Sequence, residues 1–322
     1  MPSIGKKISS KAPALQGYNF LWMLGVEKLN QLILNYLDPE VKLVLDIGKY
    51  TLGAGGKRIR PILMAEVCNM LGGDWERVIP LAVGIEYIHM ASLLHDDVID
   101  GALTRRGRPS ANFVFGNQAV VLGGDYFYAK ALWLYAVYGN LKAVELVSRA
   151  VMHMSQSQIL ELISIGKLIS EEEYFRIIEG KTGALFAASM GVGALMADSS
   201  LYEEFYNIGM KVGVAFQLID DALDYSGSEE RLGKPVGNDL REGKCTYPLI
   251  SVMDQLDPEW VMERFGKGNT EELRKKVIAL GGVEKTKERA RKEISQAVEY
   301  LRKFENSHML IELLEGIVVR DH

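Results

Sequence analysis

The chain is poor in the residues that staple or interrupt a fold. Only two cysteines occur, Cys68 and Cys245, far apart and in unrelated contexts, which excludes a disulfide framework and a thiolate metal site. Prolines number nine and no Ser- or Pro-rich tract is present, so nothing reads as a linker. One domain over residues 1–322 is expected, with residues 1–15 expected to be disordered. Basic charge is not in excess. A net charge of -5 and a pI near 5.7 exclude a basic face for nucleic acid, so any positive charge with a role must be local. Long hydrophobic runs are scarce as well. The longest, Gly183 to Ala197, falls short of the roughly 18–20 residues a spanning helix needs and is rich in small residues. It reads as a buried helix, so an integral membrane protein is not expected. The short apolar piece Phe20 to Val26 has no cleavage pattern after it and is not read as a signal peptide. A reducing cytoplasm is the expected location.

What the chain has is helical spacing. Apolar residues make up 48% of it, enough for a sizeable core, and their periodicity is helical almost throughout. Alternating runs bounded by turn residues are hard to find. The expected class is all-α. "LGAGGKRIRP", "LGGD", "RRGRP", "YSGS", "LGKPVGND" and "ALGG" mark helix ends and loops. The Glu-, Lys- and Arg-rich segment Thr270 to Phe304 reads as solvated amphipathic helices broken at Gly281-Gly282.

Two apolar helices end in the same acidic pattern. "LLHDDVID" places Asp96, Asp97 and Asp100 after a run that is apolar nearly all round, and "QLIDDALD" places Asp220, Asp221 and Asp224 after "IGMKVGVAFQLI", whose glycines permit close helix packing. At about 100° per residue, positions i and i+4 share a face and i+1 lies beside them, so each trio points roughly one way. Each also sits where the helix macrodipole is already negative. Three carboxylates there repel one another and the helix end, and cations must offset them. An all-oxygen donor set suits Mg²⁺, which takes one or two carboxylates and completes its shell with water and phosphate oxygens. The calcium-loop spacing is absent at both places.

The cationic counterpart is near. "LGAGGKRIRP" holds Lys57, Arg58 and Arg60 between a Gly-rich turn and Pro61, a residue favoured at a helix start. Its spacing is not that of a nucleotide-binding P-loop. Arg105 and Arg106 follow the first trio directly. Together these groups point to a cavity in which metals and cations share one or more diphosphates.

These motifs, with "LLHDDVIDGALTRRGRP", "GGDYFYAKA", "EGKTGALF", "FQLIDDALDY" and "LGKPVGNDLREGK" in order between "GGKRIRP" and "CTYPLI", resemble the trans-prenyltransferases that make linear polyprenyl diphosphates. The resemblance implies an all-helical bundle of the isoprenoid synthase type around a central cavity, usually a homodimer. It implies two substrates, isopentenyl diphosphate and an allylic diphosphate such as farnesyl, and three Mg²⁺ ions, two at the first box and one at the second. Carried over by motif, Asp96 and Asp100 would be the chief first-box ligands with Asp97 beside them, and Asp220 the chief second-box ligand supported by Asp221 and Asp224. Lys57, Arg60, His89 and Arg106 match positions that hold isopentenyl diphosphate. Arg105, Lys181, Thr182, Gln217, Lys234 and Lys244 match positions around the allylic diphosphate. His89 lies two helical turns before Asp96 on the same stripe, which supports its assignment; His95 has no such support and is read as structural.

Chain length is read from the residues just below the first box. Ser92 lies on the Asp96 stripe, while Ala91 is placed at the tunnel by the resemblance alone. Both are small, so the expected product is long, and its tail would be handed on to a membrane. Ile85 and Ile88 lie deeper, as tunnel lining or as ordinary core. The nearest rivals are a shorter-chain synthase making farnesyl or geranylgeranyl diphosphate, a terpene cyclase, and a non-catalytic partner subunit of a heteromeric synthase.

Overall fold

The structure, a computed structural model, describes residues 20–197, 200–226, 236–266 and 270–319, with side chains from residue 26 onward. Residues 1–15 and Lys234 lie outside the described residues. Regular structure among them is helical but for one short hairpin. The chain runs through α1 (Phe20–Leu37), α2 (Lys42–Gly53), α3 (Ile59–Met70) and α4 (Trp75–Ile99) to the hairpin, β1 (Thr104–Arg105) and β2 (Arg108–Pro109). There follow α5 (Ala111–Phe115), α6 (Asn117–Tyr138), α7 (Leu141–Ser164), α8 (Glu171–Ile178), α9 (Ala184–Met196) and α10 (Tyr202–Ser226). Last come α11 (Asn238–Glu242), α12 (Tyr247–Ile250), α13 (Pro258–Arg264), α14 (Thr270–Ala279), α15 (Gly282–Leu301) and α16 (His308–Val318).

Local chemistry sets many of the boundaries. Asp74 caps α4 by accepting from the Glu76 N–H at 3.0 Å, and Asn140 caps α7 through the Ala143 N–H at 2.9 Å. At α8, Ser170 and Glu173 form a reciprocal capping box. The break between α14 and α15 is at Gly281, whose φ of 82° only glycine adopts cheaply. One start differs from expectation. α3 begins at Ile59, two residues before Pro61, because the first-turn N–H groups have no intrahelical acceptor and a proline there removes nothing.

The run Gly183 to Ala197 supplies the central helix. α9 is buried along its length apart from Leu195, which is half-buried, and it packs against α3, α4, α7 and α10. Small residues make this possible. A Cβ on Gly193 would lie 2.3 Å from the Met64 carbonyl of α3, and one on Gly209 of α10 would lie 2.6 Å from the Phe186 carbonyl. One apolar core joins α4, α6, α7 and α9, and a second joins α3, α9 and α10 to α15 and α16. Among the described residues only α4 is long and apolar enough to cross a membrane, and it is mostly buried in the protein. The acid-ended helices α4 and α10 are thus both core elements, and their charged ends are held in place by packing along their whole length.

One core residue has a carboxyl oxygen without a hydrogen-bond partner among the described residues. Glu66 of α3 is 5% exposed, its Oε1 accepts no hydrogen bond among the described residues, and burial pushes its carboxyl from 4.5 up to about 7. Between these two values the folded protein holds a proton that the unfolded chain has released. Stability therefore falls as pH rises from about 4.5 to about 7 and is level with respect to this group above it. Glu66→Gln removes the ionisation. In thermal melts it is expected to be more stable than the parent at pH 8, by on the order of 1–3 kcal/mol, with the gap closing towards pH 5. An equal gap at both values would show that ionisation is not the cause.

Candidate active site

The first trio ends α4. Asp100 is the C-cap, its N–H donating to the Asp96 carbonyl at 2.8 Å. Burial raises the Asp96 carboxyl, Lys181 and Arg105 oppose the shift, and Asp100 and Glu161 add to it. Asp97 turns away from this pair. It is 2% exposed and accepts from Arg105 Nε at 2.6 Å and from the Ala111 N–H.

The second trio, near the end of α10, divides in the same way. Asp220 is half-buried and interacts with Arg60 and Arg106. Asp221 has both oxygens engaged, accepting from the Tyr174 hydroxyl at 2.5 Å and from Gln217 Nε2 at 2.8 Å, and burial pushes it up to about 7. Gln217 in turn accepts from Thr182 Oγ1 at 2.8 Å. Asp224 is buried, and one of its oxygens accepts from the Asp239 N–H at 3.1 Å, tying α10 to α11. Each trio was expected to point one way. Instead neighbouring elements capture Asp97, Asp221 and Asp224, while Asp96, Asp100 and Asp220 are not held by those hydrogen bonds.

The loop before α3 borders a cavity of about 310 Å³ lined by Lys57, Arg60, Glu86, His89, Arg106 and Phe186 among others. Arg58 is not available to a ligand. Held in the left-handed region at φ 51°, it donates to Asn30, to the Leu52 and Gly55 carbonyls, and to Glu86 at 3.1 Å in a buried ion pair. Arg60 lies 4.4 Å over the Phe186 ring, and its Nε finds no acceptor among the described residues. Burial lowers its pKa to about 10, against the attraction of Glu86 and Asp220, so it stays charged. His89 is driven well below the usual imidazole value by burial and then by four arginines, Arg60, Arg106, Arg58 and Arg105. It is neutral at pH 7 and can donate a hydrogen bond to an anion.

The hairpin delivers Arg105 and Arg106 to different places. Its two-residue turn, Arg106-Gly107, has positive φ at both positions, 51° and 71°, as a type I′ turn requires. Arg105 reaches Asp97, and Arg106 donates to the Gly55 carbonyl and lines the Arg60 cavity.

A second cavity, about 120 Å³, is lined by Glu161, Lys181, Gln217, Asp221, Asp239 and Lys244 among others. Lys181 and Thr182 sit in a π-helical turn, Glu179–Gly183, a geometry that recurs at functional sites. Lys181 donates to Glu161. For Lys244 burial opposes the charge, but Glu161 and Glu242 outweigh it and hold the pKa above the ordinary lysine value. Glu161 is a site residue that sequence reading missed, since no local motif marks it and α7 meets the π turn only by packing. Glu86 was also missed; the one acid in "LAVGIEYIHMASLL" was a legible signal. Below the first box, Ala91 is fully buried, and Ser92 is half-buried with its hydroxyl given to the His89 carbonyl at 2.9 Å.

The donors at the mouth fit a hard cation. Asp96, Asp100 and Asp220 offer oxygens only, and burial raises Asp96 against a charge that a cation would stabilise. Among the described residues no three His, Cys, Asp or Glu side chains converge as a ready-made metal cluster. An ion held by one or two of these carboxylates would fill its shell with water and phosphate oxygens.

A model of the polyprenyl synthetase family matches residues 41–280. Octaprenyl diphosphate synthase of Escherichia coli (strain K12) is 38% identical over 294 residues, 88% of this chain and 91% of that protein. The short chain isoprenyl diphosphate synthase of Methanocaldococcus jannaschii is 35% identical over 86% of this chain and 81% of its own. A polyprenyl synthase from Caulobacter crescentus, crystallised with calcium and isoprenyl diphosphate, superposes with a TM-score of 0.88 at 33% identity, covering 94% of this chain and 96% of that one. With a family model matching residues 41–280 and relatives 35–38% identical along most of its length, the chain belongs to the polyprenyl synthetase family.

Proposed function

We propose that this protein is a trans-prenyltransferase that condenses isopentenyl diphosphate with an allylic diphosphate, farnesyl or similar, into a long-chain polyprenyl diphosphate. The observation that carries the reading is the pair of separate cationic groups flanking the acidic helix ends. Lys57, Arg60 and Arg106 gather at one cavity with neutral His89 among them, and Lys181 and Lys244 line the other. A terpene cyclase needs one diphosphate site, not two. A non-catalytic partner subunit needs neither acid box, and both are complete here.

In this reading the first group holds isopentenyl diphosphate, with charged Arg60 and neutral His89 supplying donors. Arg105, Lys181, Thr182, Gln217 and Lys244 surround the allylic diphosphate; Lys234 belongs with them by motif. Asp96, Asp100 and Asp220 would hold Mg²⁺, with Asp97, Asp221 and Asp224 beside them, in a set of three ions, two at the first box and one at the second. Bound there, Mg²⁺ supplies positive charge against the departing pyrophosphate. The basic side chains stabilise the negative charge that builds on pyrophosphate while the allylic carbon–oxygen bond breaks and its electron pair leaves with it. The double bond of isopentenyl diphosphate attacks the allylic cation, a carbon–carbon bond forms, and a proton is lost to pyrophosphate. The apolar walls of α4, α7 and α9 keep water from quenching the cation.

A long product rests on Ala91 and Ser92, which leave room where a bulky side chain would stop the growing tail. We read the chain as one cytoplasmic domain and as a homodimer. The dimer is supported by an exposed apolar face on α5, α6 and α7 that includes Phe113, Leu122, Trp133, Ile159 and Ile163.

Incubation with Mg²⁺, farnesyl diphosphate and labelled isopentenyl diphosphate tests the whole reading, the dephosphorylated product being a long polyprenol. Asp96→Ala is expected to cut turnover by about 100- to 1000-fold with an unchanged circular dichroism melt; near-normal activity would remove Asp96 from the metal site. Ala91→Phe should shorten the product, and an unaltered length would take that position out of the tunnel. Leu122→Glu should halve the mass seen by sedimentation, whereas an intact dimer would move the interface elsewhere.

A further inference from the structure

A third cavity, about 380 Å³, opens between α3 and the last helix, α16, outside both diphosphate cavities. Its walls are mostly apolar, with Ile59 and Ile62 from α3 and Leu313 and Ile317 from α16, and the exposed Lys57 and Glu312 also line it. Glu66 also lines it, one turn beyond Ile62, with its carboxyl oxygen Oε1 lacking any hydrogen-bond partner among the described residues. A buried acceptor left in this way destabilises the fold, a cost that a donor brought by a ligand would remove. Gly316 is a second pointer. It sits in the last turn of α16, exposed to solvent. A Cβ there would meet nothing within 4 Å, so no close helix approach requires it. What glycine does at this position is leave the cavity open on its exposed side.

We propose that this cavity binds a primary alkylamine or an equivalent small cationic amphiphile, its ammonium group on Glu66 and its apolar body between α3 and α16. The acid selects the head group. An ammonium supplies charge-assisted donors to the carboxylate, an alcohol supplies one neutral donor, and a fatty acid brings a second anion against it. The walls select the tail, since Ile59, Ile62, Leu313 and Ile317 offer no polar side chain. Lys57 lines this cavity and also the one assigned to isopentenyl diphosphate, so the two are neighbours. The inference rests on the cavity alone and stands or falls apart from the prenyl-transfer reading.

The probe is n-decylamine, kept below its aggregation concentration and titrated calorimetrically into the full chain at pH 8, where Glu66 is mostly ionised. Saturable one-site binding is expected, with decanoate and decanol at least tenfold weaker. Glu66→Gln should weaken decylamine at least tenfold. Gly316→Leu, which fills the opening and improves helix propensity, should abolish binding while leaving the thermal melt unchanged or higher. Absence of saturable binding, or equal binding by the parent and both variants, would overturn the site. Loss in Gly316→Leu with no change in Glu66→Gln would overturn the ammonium assignment. If Glu66→Gln does not fold, the ranking of decylamine, decanol and decanoate on the parent decides the head group.

Discussion

Repulsion among carboxylates at the C-terminal ends of two buried helices is the constraint on which the rest of the structure depends. Each such end already carries roughly half a negative charge from its unsatisfied carbonyls, and each receives three aspartates in addition. The fold contains this in two ways. It assigns Asp97, Asp221 and Asp224 to protein donors, Arg105, Tyr174, Gln217 and the Asp239 N–H. It leaves Asp96, Asp100 and Asp220 beside lysines and arginines that can share an anionic ligand with them. A site so arranged is stabilised by what it binds, which is the condition for holding a diphosphate together with its cations.

The cationic side is organised by backbone geometry that ordinary residues resist. Arg58 adopts a left-handed conformation and uses its guanidinium to fix the Gly-rich loop, Asn30 and Glu86. Arg106 does likewise at the hairpin turn and returns to the same loop at Gly55. Such positions are costly for non-glycine residues and persist where the surroundings over-determine them. The result is a clamp of arginines around His89, whose imidazole is held neutral by burial first and by these arginines in addition. Glu86 is held in the same cluster, raised by burial yet drawn down by Arg58, Arg60 and Arg106. Its ion pair with Arg58 sits fully inside, so removing either partner would leave the other as a buried uncompensated charge.

Behind the charges the interior is apolar and tightly packed. α9 can lie in the centre because Gly193 meets the α3 backbone and Gly209 of α10 meets the α9 backbone with no side chain between. The π turn that precedes α9 interrupts the helical register at Lys181, which lines the second cavity, and at Thr182, which is buried behind it and donates to Gln217. A reaction that exposes a carbocation needs this combination of a polar rim and a dry interior.

How much was legible in advance follows from the range of the forces involved. Helical class, the buried character of Gly183 to Ala197, the break at Gly281 and the two Asp-Asp-x-x-Asp patterns are written in spacings of a few residues, and such spacings act locally. The glycines of α10 were readable as close-packing positions for the same reason. The division within each aspartate trio was not readable. Tyr174 comes to Asp221 from 47 residues away, and Glu161 comes to Lys181 from 20. The same holds for Glu66, whose cavity is closed by a helix near the other end of the chain. The sequence by itself determined which residues are acidic, basic or apolar on each helix, because that pattern repeats with the helical turn. Only the tertiary structure decided which of them take hydrogen bonds from distant elements and which come to line the cavities, because partners are chosen by packing between elements distant in sequence.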